Sequence, residues 1–292
     1  MKKISFFLVV LLSLTSCKKD KDKTIASVKK EDTEVLTFLY GNWVGDFTAS
    51  EYQEDKTEED FVFINKINIV IKRIQGNNVT GQNIVAGNSR PIAGTIRNKN
   101  DELHFVMKEP GDDKNDGVFR FTIKNDTLSG EWTSNNKKAI VTKRTFKLVK
   151  QNFEYKPEVM LPDDDVYYDS YSMKIDSAII EIDGEEEMQY SEIYRAASDI
   201  IYKINSSTTK LSEADVKNLK KLELEILRNT IFARHGYTFK KKSYRQFFDP
   251  VDWYIPVSAD VSKELTSIEK ENIKLLERFE KYAEDNYDSF GR

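Results

Sequence analysis

Between Leu36 and Lys150 the chain alternates short apolar segments with clusters of Gly, Asn and Asp. That punctuation limits the region to an all-β unit built of hairpins. Phe61, Phe63, Ile67, Ile69 and Ile71 share one parity, the pattern of a half-buried strand. Gly76-Asn77-Asn78 is a turn, and further strands are expected at Val79–Ala86, Ile92–Arg97, Glu102–Lys108, Val118–Lys124, Thr127–Thr133 and Ala139–Val149. The residues between them tolerate positive φ or bond their own backbone, which is why they mark turns. A strand around Asn42–Ala49 brings the expected number to eight. Eight antiparallel strands with short turns can close into an up-and-down barrel and lose their exposed edges.

Gly41-Asn42-Trp43 opens the first strand, and Gly130-Glu131-Trp132 repeats the pattern near the last. This Gly-x-Trp resembles the start of lipocalin-like domains. The resemblance implies a barrel that holds one small ligand or is filled by its own side chains. Trp43 and Trp132 are read first as core. His104 lies in a strand between Leu103 and Phe105 and is expected to be exposed. Asp112-x-Lys114-x-Asp116-Gly117 has a lysine and Ile123 where a calcium loop needs oxygen ligands, so it is read as a hairpin turn.

Before the β region, Lys2 and Lys3 precede an apolar run, Ile4 to Leu14, and then Cys17. The run is too short to span a bilayer and has the flanks of a secretory signal. A cysteine at the cleavage point indicates a lipoprotein signal, with residues 1–16 removed and Cys17 lipidated. Several acyl chains on one residue hold a protein firmly to a membrane. Residues 17–34, with Lys18-Lys19-Asp20-Lys21-Asp22-Lys23, form a polar tether. Lys18 stands where an inner-membrane retention aspartate would be, so an outer-membrane location is expected.

Residues 35–150 then form the β-domain, and residues 151–209 are read as an acidic connector. From Asp163 to Glu192 it carries 11 acidic residues and one lysine, the composition of a solvated charged segment. Short strands within Ser172–Ile182 and a short helix over Glu192–Ile204 are expected. Ser212-Glu213-Ala214-Asp215 resembles a capping box and starts a helix expected to reach Gly236. Arg234 and His235 lie in its last turn, where cations suit the helix C-terminus. A second helix is expected at Ser243–Phe248. Trp253, Tyr254 and Pro256 form an aromatic turn, and a last helix starts at the Thr266-Ser267-Ile268-Glu269 capping box and reaches about Asp285.

The segment Leu227-Arg228-Asn229-Thr230-Ile231-Phe232-Ala233-Arg234-His235-Gly236-Tyr237-Thr238-Phe239 resembles the signature of the YARHG domain of bacterial envelope proteins, here over residues 210–285. Phe232 departs from the Tyr of the family name, keeping the ring and losing the hydroxyl. The resemblance implies a small all-α module outside the cytoplasm and no established reaction. The fold class is therefore α+β, in two domains.

Composition narrows the function. A net charge of −4 argues against a nucleic-acid binder. One cysteine excludes an internal disulfide, two histidines exclude a multi-His metal site, and no cofactor is expected. The first reading is a membrane-anchored binding or interaction module without a catalytic centre. The alternatives are a carrier of a small apolar ligand in the β-domain and a hydrolase of envelope polymers. Arg228 to Arg245 holds six basic residues and no acidic one. Of these, Lys240, Lys241, Lys242 and Arg245 are candidate anion contacts, for the connector itself, an anionic envelope polymer or a lipid headgroup. A protein partner is the other partner class expected. His235 is read as structural.

Overall fold

Inward-facing residues of eight strands meet in one core, and that core closes on itself. The structure is a computed structural model in which residues 36–57, 60–100 and 102–285 are described. The chain divides into two units, Met1–Phe38 and Leu39–Arg292. Cys17, the signal segment and the tether lie outside the described residues.

Strands β1 (Gly41–Tyr52), β2 (Ile64–Gln75), β3 (Asn78–Val85), β4 (Asn88–Lys99), β5 (Glu102–Lys108), β6 (Gly117–Lys124), β7 (Thr127–Ser134) and β8 (Val141–Gln151) follow one another as antiparallel neighbours. β8 pairs with β1, with Phe146 opposite Phe47, so the barrel is closed. Trp43, Ile67, Ile69, Phe105, Phe121 and Leu148 fill the interior. The Trp43 Nε1–H donates to the Leu39 carbonyl at 2.9 Å, holding the chain entering β1 against the strand. Phe61 and Phe63, expected within the second strand, precede β2, and their rings pack on Tyr52.

The expectation of one buried face fails on β2 for a tertiary reason. Val44, Asn68 and Ile84 stand side by side across β1, β2 and β3 on the outward parity, and all three are buried. The C-terminal region meets this outer face. Asn68 Nδ2 donates to the Pro256 carbonyl at 2.9 Å. The Lys66 N–H donates to Asp249 at 3.1 Å and its Nζ to the Val251 carbonyl at 2.6 Å. Gly87, in the turn between β3 and β4, has φ +79° and donates to the Thr238 hydroxyl. A Cβ there would lie 2.7 Å from Lys240 Cα, so only glycine fits both the turn and the contact.

The acidic segment differs from the solvated connector expected. β9 (Tyr167–Ile182) and β10 (Glu185–Ala197) form a hairpin. Asp183 and Gly184 both have positive φ, the requirement of a tight two-residue hairpin turn. No helix forms over Glu192–Ile204. β10 runs to Ala197, where Arg195 and Ala197 are buried on either side of the half-buried Ala196, and a 3-10 segment covers Asp199–Tyr202. The hairpin tip is exposed, whereas Leu161, Ala197 and Ile201 share a core with Leu222, Phe239 and Phe248 of the helical region.

The helix expected from Ser212 to Gly236 is broken in two, α1 (Glu213–Val216) and α2 (Lys221–Arg234). The break has its own cap: Glu223 accepts from the Lys220 N–H at 2.8 Å, and from the N–H and hydroxyl of Ser198. α2 lies between two apolar clusters. Leu222, Ile226 and Ala233 enter the first, and Leu224 and Leu227 enter the second with Leu276. The short helix α3 (Lys242–Phe248) and the helix α4 (Ser267–Glu280) complete the region.

One buried charge cluster ties the hairpin base to this region. The Arg195 guanidinium bonds Asp169 at 3.1 Å, Glu225 at 3.0 Å and Asp285 at 3.0 Å. Removing one member of a buried ion cluster leaves uncompensated charge and costs about 3–5 kcal/mol. Arg195→Ala is therefore expected to lower the unfolding free energy by about that amount in urea denaturation. A loss no larger than that of an exposed ion pair, about 0–1 kcal/mol, would show that the cluster does not hold the hairpin.

Candidate functional site

Two places gather the residues singled out in the sequence, and they behave differently. The first is the junction at the end of α2. Its last residues, Ala233 and Arg234, bring His235 to the C-cap, and Gly236 at φ +72° turns the chain out of the helix. A Cβ on Gly236 would meet the Ile255 carbonyl at 2.8 Å, so the turn is also a close contact. His235 Nε2 lies 2.8 Å from Glu269 Oε2, and the ring stacks on Tyr155 with centroids 4.1 Å apart. The Tyr155 hydroxyl donates to the other oxygen of Glu269 at 3.0 Å. Glu269 is also the third residue of α4, where it accepts from the Thr266 N–H at 2.9 Å. One buried carboxylate thus joins the end of α2, the start of α4 and the segment after β8.

The rest of the signature is occupied in the same way. Arg228 makes a two-pronged ion pair with Glu280 of α4, at 2.6 and 3.0 Å. Asn229 and Thr230 donate to carbonyls one turn back, of Glu225 and Ile226. Arg234 donates to the Val159 carbonyl and the Ser207 hydroxyl. Phe232 is half-buried against Tyr237. The Tyr237 carbonyl accepts from the hydroxyl of buried Tyr254 at 2.8 Å, and Trp253 donates to the Met160 carbonyl. These contacts hold elements together, and none of these residues lines the cavity of about 550 Å³ at the barrel end.

The second place is the barrel end at which β1 and β2 are joined. On several strands the inward parity changes there from apolar to polar. Ile67 gives way to Asn65, Trp132 to Ser134, and Phe146 to Arg144, while Asn83 holds the inward parity of β3 and Glu109 continues that of Met107. With the aromatic rings of Phe47, Phe119 and Trp132 they line a cavity of about 550 Å³. Glu109 accepts from Asn83 at 2.7 Å, the Gly117 N–H at 2.6 Å and Trp132 Nε1 at 3.1 Å, and burial pushes its carboxyl above the ordinary value. α3 completes the wall with Lys242 and Arg245.

The four basic candidates therefore separate. Lys240 is exposed, with its backbone against Gly87. Lys241 Nζ sits 4.5 Å from the Tyr244 ring and 3.9 Å from Glu225. Lys242 Nζ lies 5.4 Å from the ring of Tyr171, on the hairpin base. Arg245 is no surface residue: it is buried and donates to Asn65 of β2. Where the hairpin base meets α3, Ser170 donates to Gln246 and Gln246 to the Tyr168 carbonyl, both neutral bonds. Arg144, on the inward parity of β8, was not singled out from the sequence. Its alternation with Phe146 and Leu148 is the signal that places it inside.

Residues 198–281 match the YARHG domain family, so the matched region begins at the end of the hairpin. No curated protein sequence and no solved structure matches the chain. The eight-stranded antiparallel barrel agrees with the lipocalin-like resemblance of the N-terminal region.

The Glu269 junction has a pH signature. Burial works to raise the pKa of this carboxyl, but hydrogen bonds from His235, the Thr266 N–H and Ser207 outweigh it and bring it to about 2, from an ordinary 4.5. A carboxyl depressed in the folded state contributes stability above pH 4.5 that is lost as pH falls toward 2. The shift corresponds to ~3 kcal/mol. Unfolding free energy measured by urea titration is expected to fall over that interval, and Glu269→Gln to be less stable at neutral pH with a shallower acid slope. An unchanged slope in the variant would remove Glu269 as its source.

Proposed function

We propose that this protein is a lipid-anchored binding module of the bacterial envelope, in which the open barrel end is the binding site and the YARHG region supplies part of its wall. The observation that carries this reading is the cavity of about 550 Å³, lined by the rings of Phe47, Phe61, Phe119 and Trp132 and by a ring of polar side chains. Small-molecule sites have this size and this mixture of apolar wall and few polar groups. Trp43, Ile69, Phe105, Phe121 and Leu148 are buried in the rest of the barrel interior, and the cavity lies at one end. A histidine-dependent hydrolase would need His104 or His235; His235 is bonded to Glu269 and stacked on Tyr155, and His104 lies on β5 outside the cavity lining. The carrier reading shares this cavity and differs only in whether the ligand is delivered or sensed. The anchor and outer-membrane location rest on the Lys2-Lys3, apolar run and Cys17 pattern and on the envelope association of the YARHG family.

Two measurements test the proposal. In membrane fractionation, Cys17→Ser is expected to leave the signal segment uncleaved and the protein without its lipid; membrane attachment and processing unchanged from the wild type would end the anchor reading. The neutral dye Nile red is expected to gain fluorescence with the wild type, and Ala139→Trp, which places an indole on the cavity wall, to abolish the gain while the melting temperature holds. Equal dye binding by the two proteins would place the site elsewhere.

A further inference from the structure

We propose that the barrel end is a composite site for an anion carried on a compact apolar body, with Arg144 of the barrel and Arg245 of α3 as its counter-charges. This rests on the reading of the cavity as the binding site and adds the class of ligand.

Both arginines line the cavity and both are buried, at 9% exposure. Among the described residues neither forms an ion pair with a carboxylate. Arg144 donates to the carbonyls of Phe47, Phe63 and Val62 at 2.9–3.0 Å, and its guanidinium lies 5.3 Å from the Phe47 ring. These bonds fix its orientation and leave its charge uncompensated. Arg245 donates one N–H to Asn65, and its buried Nε has no partner. Asp249 attracts Arg245 without closing an ion pair with it, and one of its two oxygens accepts from the Lys66 N–H. The two guanidinium groups repel each other, and burial, followed by that repulsion, lowers Arg144 to about 10.

A buried, unpaired charge is costly, and two of one sign are more so. The Arg195 cluster shows how this protein otherwise treats a buried arginine: with three carboxylates. The carboxylate within the cavity wall, Glu109, is held by Asn83, Gly117 and Trp132. Lys114, Lys138 and Lys242 add positive charge to the lining, five cationic residues against one acid. A planar guanidinium with a free N–H suits a carboxylate or phosphate oxygen. Beside these groups Phe47, Phe119 and Trp132 offer faces and edges to an apolar body, with Phe47 and Trp132 in edge contact at 5.9 Å. The site needs both regions of the chain: β8 brings Arg144, and docking of α3 against β2 brings Arg245.

The test is calorimetry on the full chain in neutral detergent with four probes: 2-naphthoate, 2-naphthyl phosphate, the neutral 2-naphthalenemethanol and inorganic phosphate. At least one naphthyl anion is expected to bind ~10-fold or more tightly than the neutral alcohol, the scale of one charge-assisted hydrogen bond. Which of the two binds better identifies the head group. Inorganic phosphate is expected to bind more weakly than either naphthyl anion. Arg245→Gln is expected to narrow the gap between the preferred anion and the alcohol, with Arg144 remaining as the second counter-charge. The head-group comparison uses the wild type alone, so it decides the matter even if the variant unfolds. Equal binding of anions and alcohol would overturn the anion inference and leave the cavity as a binding site. Binding of none of the probes would overturn both.

Discussion

Closure of the barrel through the β1–β8 ladder is the constraint on which the rest of the structure depends. It leaves no strand edge open and makes inward and outward parity absolute around the ring. With parity settled, a polar residue at an inward position has nowhere to go except the barrel end. Asn65, Asn83, Ser134 and Arg144 therefore converge there although they are far apart in sequence. The outward parity of β1–β3 forms an apolar and amide row, Val44, Asn68 and Ile84, that a free barrel would expose to water. The C-terminal region covers it with backbone acceptors at Val251 and Pro256 and the hydroxyl of Thr238.

The C-terminal region is organised by buried charge as much as by apolar packing. Arg195 and Glu269 each satisfy several partners from different elements. Arg195 reaches from β10 to β9, α2 and the residues after α4; Glu269 reaches from α4 to the end of α2 and to Tyr155. Such sites contribute less to net stability than their bond count suggests, because desolvation offsets the attraction. They are directional, because each oxygen must meet a partner carried by a different element. The YARHG signature reads naturally in these terms. Arg228 and His235 join α2 to α4, Arg234 ties the end of α2 to Val159 and Ser207, and Gly236 turns the chain toward α3.

That turn gives the signature a functional consequence at a distance. α3 follows it directly, and α3 is the element that brings Arg245 to the barrel end. The binding reading thus links the two regions. The barrel supplies the walls and Arg144, and the YARHG region supplies the second cation. The exposed tip of the β9–β10 hairpin stands outside this arrangement and carries Glu181, Asp183, Glu185, Glu186 and Glu187.

Much of the molecule was legible in the sequence. Turn residues at short intervals and period-two apolar segments determined the eight strands, because both are local properties of the backbone. The Leu227–Phe239 segment determined the family of the C-terminal region, and capping boxes at Ser212 and Thr266 marked two helix starts. The hairpin was half legible: Asp183-Gly184 is a local turn signal, but acidic composition reads as solvent-facing unless a buried arginine is known to wait for Asp169. The break between α1 and α2 was not legible, since the cap on Lys220 uses a Glu223 that is also held by Ser198. The site was the least legible part. Lys240, Lys241 and Arg245 read alike as a basic run, and only packing separates a solvent-exposed lysine from a buried guanidinium facing a cavity. Arg144 was hidden among the surface lysines of β8. Its parity was in the sequence, but the closed ring and the docked α3 decided that this parity leads to a cavity and to a second positive charge.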